Sequence, residues 1–235
     1  MTARYLYLAR HGDAVEGGGL TPAGRRQAEC LAERLADVPL TSITHSPLRR
    51  ATETAAILAP AAAPLAVPPG ATPTAPAATP PVSAAVSPVP AATPPVPAAA
   101  PPVPVAWDGV GDYVPYVPDP VPPAFEALFE GWTAEELAAG PRLAAQALDR
   151  FAGPFPDGVR HDLVVTHAFA VAWFVRDALQ APPERWLGLN AANCALTVIR
   201  YSEGRPPGLL VFNDMSHLPA ELRWTGFPSH LRVSS

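Results

Sequence analysis

The residues best suited to chemistry in this sequence are two histidines and two arginines that follow short, strand-like segments. His11 comes directly after Arg10, Arg50 lies a few residues beyond a second such segment, and His167 ends a third. A neutral imidazole is a competent nucleophile near pH 7, and guanidinium groups bind phosphoryl oxygens. If the fold brings these four side chains together, their types predict phosphoryl transfer.

The elements that must position these side chains alternate between strand and helix. Short apolar runs predict strands over residues 5–9, 41–44, 163–165, 195–199 and 209–212. Apolar residues at helical spacing and the capping pair Thr21-Pro22 predict helices over residues 22–35, 47–58, 125–132, 134–139, 142–151 and 169–179. This order predicts an α/β three-layer sandwich, in which a mostly parallel sheet is flanked by helices.

In sheets of this kind the active site lies beyond the carboxyl ends of the strands. Arg10 and His11 follow the first predicted strand. Ser46 and Arg50 follow the second, and His167 follows the core strand at residues 163–165. Three strand ends would therefore carry histidines and arginines to one edge of the sheet. Such a local concentration of positive charge suits a phosphate group, even in a chain with a net charge of −5.

Residues 60–106 differ in composition from the rest of the chain. They contain 16 of the 33 prolines, many alanines and valines, and no charged or aromatic residue. Prolines at this density are incompatible with a helix or an inner strand, so we predict an extended linker of polyproline character. We therefore expect a single domain over residues 1–235 that carries a low-complexity, Pro/Ala-rich insertion at 60–106.

The composition argues against several other classes of protein. A net charge of −5 disfavours nucleic-acid binding, and no proline-free apolar run is long enough to span a membrane. The N-terminal apolar stretch is too short for a signal peptide. Cys30 and Cys194 have no metal-ligand spacing, and we interpret them as reduced, buried thiols of a cytoplasmic protein.

Four segments of the sequence resemble the histidine phosphatase superfamily, whose fold is phosphoglycerate-mutase-like. They are residues 8–12 (LARHG), 20–28 (LTPAGRRQA), 46–55 (SPLRRATETA) and 164–168 (VVTHA), and they occur in the family's order. Residues 118–120, 181–187 and 213–218 are similar to the branch that contains the mitochondrial phosphatase PGAM-five. Together these segments extend over most of the chain outside the insertion.

The resemblance implies a role for each matching residue. His11 would attack phosphorus and become a phosphohistidine. Arg10 and Arg50 would bind the phosphoryl oxygens, and His167 would hydrogen-bond them. Relatives use a Glu or Asp as general acid, and it lies between the segment that contains Arg50 and the segment that contains His167. The branch pattern places that acid at Asp112. The other acidic residues considered for this role are Asp108, Asp119, Glu126 and Glu130.

The residues and the resemblance together predict a phosphomonoester hydrolase that acts through a phosphohistidine on His11. No carboxylate cluster with ligand spacing lies near the motifs, so we expect no metal ion and no other cofactor. The expected partner is a small phosphorylated substrate or a phosphoprotein, and we expect no binding to nucleic acid or to a membrane. The sequence is compatible with either a monomer or an oligomer. Two alternatives also stay open. One is a phosphoglycerate-type mutase, against which the lack of an extended substrate-enclosing region argues, and the other is an inactive module that binds phospho-ligands.

Overall fold

The computed structural model describes residues 2–61 and 101–232, and most of the predicted polyproline linker, residues 62–100, lies outside the described residues. The strands are β1 (Ala3–Arg10), β2 (Ser42–His45), β3 (Pro104–Ala106), β4 (Val159–Thr166), β5 (Leu196–Ser202) and β6 (Arg205–Asp214). The α-helices are α1 (Pro22–Leu35), α2 (Arg49–Ala61), α3 (Ala134–Phe151) and α4 (Ala168–Ala178). Short 3-10 helices cover Asp108–Val110, Pro123–Leu128, Pro183–Gly188, Ala220–Leu222 and Ser229–Leu231.

The strands of the described residues form a six-stranded sheet in the order β3-β2-β4-β1-β5-β6. β1 pairs in parallel with β4, and β2 pairs in parallel with both β3 and β4. β5 is antiparallel to its two neighbours, β1 and β6, so five of the six strands point in the same direction. The prediction of a mostly parallel sheet is confirmed.

Helices cover both faces of this sheet and complete the three layers that the sequence predicts. On one face, Leu6 and Leu8 of β1 pack with Phe174 of α4 and with residues of α3. On the other face, Ala9 packs with Leu31 of α1 and with residues of α2. Because β1 is buried on both sides, its sequence is a nearly continuous apolar run rather than an alternating one.

α1 begins at the residues that its capping pattern predicts. The side chain of Thr21 accepts a hydrogen bond from the backbone N–H of Gly24 at 3.0 Å. Gly24 also packs against the loop after β1, where a Cβ atom at this position would overlap the carbonyl group of Asp13. A Cβ atom at Gly12 would lie 2.5 Å from the carbonyl oxygen of Gly24. This mutual close approach requires both glycines and fixes the loop that follows β1.

β3 is an element that the sequence did not predict, and it falls inside the stretch expected to be an insertion. It is the edge strand of the sheet, and its Pro104 pairs with Ile43 of β2. Proline is tolerated at the first residue of an edge strand, because no hydrogen bond from its nitrogen is needed there. The high proline content of residues 60–106 therefore led the sequence analysis to miss a strand over their last three residues.

α3 is one helix where the sequence predicted two separated at Gly140-Pro141. Gly140 packs closely on the preceding chain, since a Cβ atom there would overlap the carbonyl group of Val114. Pro141 lies on the exposed side of the helix, where the hydrogen bond that it cannot donate costs least. The predicted helix over residues 125–132 is a 3-10 helix, Pro123–Leu128, which starts directly at a pair of prolines.

Candidate active site

The carboxyl ends of β1, β2 and β4 meet at one edge of the sheet, as the parallel pairing requires. β4 lies between β1 and β2, and its backbone hydrogen bonds to each of them continue one residue beyond the end of that strand. The backbone N–H of His11 donates to the carbonyl of Thr166 at 2.9 Å, and that of Ser46 donates to the carbonyl of Val165 at 3.0 Å. His167 follows β4 immediately and is the N-cap residue of α4. Three strand ends thus bring His11, Ser46 and His167 together.

His11 is buried, with an exposed fraction of 7%, and its ring has a defined tautomer. Its Nδ1 atom lies 2.8 Å from the carbonyl oxygen of Gly12. A carbonyl oxygen can only accept a hydrogen bond, so Nδ1 carries the ring proton and Nε2 keeps its lone pair. The Nε–H group of Arg50 donates to this Nε2 at 3.1 Å. The lone pair therefore points into the site beside a guanidinium group.

Arg50 is the residue that connects the other polar side chains of the site. Its Nη2 atom lies 2.6 Å from Oδ2 of Asp112 and 3.3 Å from Nδ1 of His167. The rings of His11 and His167 have centroids 5.0 Å apart. Asp112 keeps a third of its side chain exposed, which places it at the mouth of the site rather than in its floor.

The ring of His167 is held from behind by Ser46, which is fully buried. Its Nε2 atom lies 2.8 Å from the Ser46 hydroxyl oxygen, and that oxygen accepts the backbone N–H of Leu48 at 3.3 Å. The hydroxyl proton has no acceptor other than this Nε2 among the described residues, whereas Nη2 of Arg50, which can only donate, lies 3.3 Å from Nδ1. Nδ1 also faces Oδ2 of Asp112 at 3.4 Å and therefore lies between a donor and an acceptor.

Burial and positive neighbours keep both histidines neutral. Desolvation is the main cause that lowers the pKa of His11 to about 3, and the nearby His167, Arg10 and Arg50 act in the same direction, whereas the hydrogen bond to Gly12 opposes them. Desolvation also lowers the pKa of His167 to about 3, with Arg50 and Arg10 as the next causes. At neutral pH, His11 therefore offers a lone pair beside an uncharged His167 ring.

Arg10 is oriented by the C-terminal part of the chain. Its Nη1 atom donates to the carbonyl of Ala191 at 2.9 Å and to that of Gly226 at 2.6 Å. Gly226 has a φ of 66°, and a Cβ atom there would lie 2.8 Å from the Arg10 Nη atoms. Asn193 adds a hydrogen bond from Nδ2 to the His11 carbonyl at 2.8 Å. Residues 191–226 thus form one wall of the site.

The structure brings four of the predicted site residues, His11, Arg50, Asp112 and His167, into one connected group. Arg10 stands beside this group, and its charge acts on both histidines. Among the described residues, none of the other candidate acids hydrogen-bonds to a member of the group.

The sequence analysis missed three supporting contacts. Ser46 and Thr54 both lie in the segment 46–55 that carried the resemblance, so a signal for them existed. Thr54 accepts the N–H of Gly12 at 3.1 Å and donates to the carbonyl of Arg50 at 2.7 Å. The contact of Asn193 with the His11 loop gave no signal, because it joins residues 182 positions apart.

Two findings concern other kinds of site. Within residues 2–61 and 101–232, no three His, Cys, Asp or Glu side chains are grouped so that they could hold a metal ion. No helix in the same part of the chain is both long and apolar enough to span a bilayer.

Comparison with known proteins identifies relatives over most of the chain. A family model described as the histidine phosphatase superfamily (branch 1) matches residues 6–70 and 126–214. The chain is 33% identical over 221 residues to the serine/threonine-protein phosphatase Pgam5, mitochondrial, of Caenorhabditis elegans. The aligned region covers 92% of this chain and 64% of that protein. Identity to the protein of the same name from Caenorhabditis briggsae is 31%, covering 95% of this chain and 68% of that protein. The chain thus spans about two thirds of the length of these relatives.

Solved structures show the same fold at lower sequence identity. A phosphoglycerate mutase from Plasmodium falciparum superposes with a TM-score of 0.53 at 20% identity, covering 94% of this chain and 96% of that one. A mycobacterial glucosyl-3-phosphoglycerate phosphatase in complex with inorganic phosphate superposes with a TM-score of 0.55 at 20% identity, covering 92% and 100%. These matches confirm the phosphoglycerate-mutase-like architecture.

The relatives also correct one expectation. The sequence analysis expected a cytoplasmic protein, and the names of the relatives at 25–33% identity contradict this, since each describes a mitochondrial protein. The expectation rested on Cys30 and Cys194, which are both free and buried in the structure. Reduced thiols disfavour an oxidising compartment, but they do not distinguish one reducing compartment from another.

Proposed function

The chain belongs to the histidine phosphatase superfamily, and on that basis we propose that it hydrolyses phosphomonoesters through a phosphohistidine on His11. The observation that carries the proposal is the Nε2 lone pair of His11, which lies 3.1 Å from the Arg50 guanidinium and beside a neutral His167. A nucleophile, a cation for the phosphoryl oxygens and an N–H donor are the groups that phosphoryl transfer needs.

In the first step, Nε2 of His11 forms a bond to phosphorus while the bond from phosphorus to the leaving oxygen breaks. Arg10 and Arg50 bind the equatorial oxygens and offset the negative charge that develops there. Nδ1–H of His167 donates to another of these oxygens. The carboxyl group of Asp112 gives its proton to the leaving oxygen, so the alcohol departs uncharged.

In the second step, a water molecule attacks the phosphorus of the phosphohistidine. The carboxylate of Asp112 takes a proton from that water, and the electron pair of the N–P bond returns to Nε2 of His11. Inorganic phosphate leaves, and both residues recover their starting states. Asp112 can serve both steps because its side chain lies at the solvent-exposed mouth of the site.

We further propose that this chemistry needs no metal ion and that the substrate is a phosphorylated serine or threonine of a protein. Two guanidinium groups supply the positive charge that a metal ion provides in other phosphatases. The names of the Caenorhabditis relatives, which describe serine/threonine-protein phosphatases, support the substrate class.

The test is turnover of p-nitrophenyl phosphate by the purified chain in excess EDTA, compared with the variant His11→Ala. We expect turnover that EDTA does not reduce and that His11→Ala abolishes, while the matched control His230→Ala, on an exposed residue near the end of the described chain, keeps the wild-type rate. Absence of turnover in the wild-type chain would favour the inactive binding module. A panel of phosphopeptides and phosphorylated metabolites then tests the substrate class, with higher kcat/KM expected on the phosphopeptides.

A further inference from the structure

A second cationic cavity lies at the opposite edge of the sheet from His11. It has a volume of about 440 Å³, and its walls include residues near the amino ends of β1, β2 and β4, the last turn of α3 and residues 102–105. Arg4 in this cavity and Arg10 at the active site are six residues apart on β1, which corresponds to about 20 Å along a strand. The two sites are therefore separate.

Three arginines and one aspartate line this cavity. Asp162 is 1% exposed, and both of its oxygens have partners. Oδ1 accepts from the Ser42 hydroxyl at 2.5 Å and from Nε of Arg160 at 2.7 Å, and Oδ2 lies 3.3 Å from Nε of Arg4. Arg150 is the third arginine. The lining thus holds three guanidinium groups and one carboxylate, an excess of two positive charges.

The guanidinium groups are held in place by contacts that leave most of their N–H donors free. Arg150 lies over the ring of Trp107 at 4.6 Å, and Arg160 lies over the ring of Phe155 at 4.8 Å. Nη1 of Arg4 donates to the backbone carbonyl of Arg150 at 2.5 Å. Among the described residues, no acceptor hydrogen-bonds to Nη2 of Arg4, to the Nη atoms of Arg160 or to the guanidinium of Arg150.

The excess charge is not balanced by the neighbouring part of the sequence. Residues 62–100, which precede the wall at 102–105, contain no Asp, Glu, Lys or Arg. Fixed guanidinium groups with free N–H donors and an excess of positive charge are suited to an oxyanion with several acceptor oxygens.

We propose that the cavity lined by Arg4, Arg150 and Arg160 binds a phosphate dianion, either free or as the end group of a small molecule, at a site separate from His11. A dianion matches the excess of two positive charges, and its oxygens can accept from three guanidinium groups at once. The cavity binds the dianion without reaction, and its lining among the described residues contains no His or Cys. The proposal stands whether or not the His11 site is a phosphatase.

The experiment is calorimetric titration of the full chain with inorganic phosphate at low ionic strength, at a pH where phosphate is a dianion. The wild-type chain should bind two phosphates. Arg50→Gln should lose the phosphate at the active site and keep the phosphate in the cavity. Arg150→Gln should weaken the affinity of the cavity for phosphate by about tenfold or more. Arg142→Gln, which removes an exposed arginine of the same helix, is the matched control and should bind as the wild type does.

Arg160→Gln serves as a second cavity variant, and its p-nitrophenyl phosphate turnover should equal that of the wild type if the two sites are separate. Repeating the titration with propylphosphonate, which has no ester bond to hydrolyse, distinguishes the source of the dianion. Tighter binding than phosphate at the second site indicates a larger molecule, and equal binding indicates free phosphate. The proposal is overturned if Arg50→Gln binds no phosphate, or if Arg150→Gln and Arg160→Gln both bind two phosphates with wild-type affinity.

Discussion

At the scale of single residues, two hydrogen bonds set the chemistry of the site by fixing which ring nitrogen holds a proton. The Gly12 carbonyl holds the His11 proton on Nδ1, so Nε2 keeps its lone pair and accepts a hydrogen bond from Arg50. We predict that the Ser46 hydroxyl donates to Nε2 of His167, which leaves Nδ1–H for a bound phosphoryl oxygen. The same side chain type thus provides a lone pair at one position and a proton donor at the other, because the two rings are held by opposite atoms.

Ser46→Ala tests the second of these bonds. Without the hydroxyl, the ring of His167 can place its proton on Nε2, and we expect kcat/KM to fall about tenfold, the effect of one lost hydrogen bond. Ser46→Thr keeps the hydroxyl and should recover most of the activity. The tautomer is read directly by ¹⁵N NMR of the His167 ring, which should show Nδ1–H in the wild type. Wild-type kinetics and an unchanged ring spectrum in Ser46→Ala would rule out this positioning role.

Asp112→Asn tests the proposed general acid. Asparagine keeps the shape of the side chain but gives no proton to the leaving oxygen. We expect hydrolysis of alkyl phosphates to fall by about 100-fold, the lower end of what general acids contribute, and hydrolysis of p-nitrophenyl phosphate to fall much less, because its leaving group needs no proton. Asp108→Asn, an exposed neighbour, is the control. An equal loss on both substrates would mean that Asp112 acts through its ion pair with Arg50 and not as an acid.

At the scale of elements, the position of His11 depends on the close packing of the β1 loop on the first turn of α1. Gly24→Ala places a Cβ atom into the carbonyl of Asp13, so the loop or the helix must shift. We expect the free energy of unfolding to fall by about 1–3 kcal/mol, with a parallel loss of turnover. Chemical denaturation measures the first and p-nitrophenyl phosphate hydrolysis the second. Gly188→Ala, which has open space for the methyl group, should change neither, and equal stability of both variants would contradict the packing account.

The elements that the sequence predicted well are those with a strong local pattern. β1 and β4 are buried on both faces, so their apolar runs stand out, and α1 carries its own capping signal at Thr21. β3 and the continuity of α3 escaped prediction, because both depend on tertiary pairing: β3 on its ladder with β2, and α3 on the packing of Gly140 against Val114. Local propensity says little about such pairings.

The active site likewise divides into a part that local sequence patterns predict and a part that depends on tertiary contacts. His11, Arg50 and His167 follow strand ends, so the parallel sheet alone brings them together, and Asp112 came from the family pattern. The part that could not be predicted is the wall at residues 191–226, which holds Arg10 through backbone carbonyls. Every residue type has a backbone carbonyl, so the sequence does not reveal which residues accept these hydrogen bonds.

At the scale of the whole molecule, the buried neutral histidines couple folding to pH. The folded-state pKa values of His11 and His167 lie near 3, below the ordinary value of 6.5. As the pH falls below 6.5, the unfolded chain therefore takes up protons that the folded chain does not. The free energy of unfolding should fall in that window, by up to about 1.4 kcal/mol per pH unit for each histidine.

Urea denaturation at about pH 7 and about pH 5 tests this coupling. We expect the loss of stability on acidification to be smaller by about 2 kcal/mol in His11→Asn than in the wild type, because one proton-uptake site is removed from the unfolded chain. The contributions of other groups, such as His161 and His217, whose pKa values are also lowered by burial, are common to both proteins. His230→Asn should behave as the wild type does. Equal losses in all three proteins would show that His11 is not buried in its neutral form.

The central claim is that His11 becomes covalently phosphorylated during turnover, and one measurement tests it directly. The wild-type chain is mixed with p-nitrophenyl phosphate, quenched in alkali within the first turnovers and analysed by intact-protein and peptide mass spectrometry. The account predicts one phosphoryl group per chain, located on the peptide that contains His11, and none in His11→Ala. Turnover without a phosphorylated chain, or a phosphoryl group on any other residue, would contradict it.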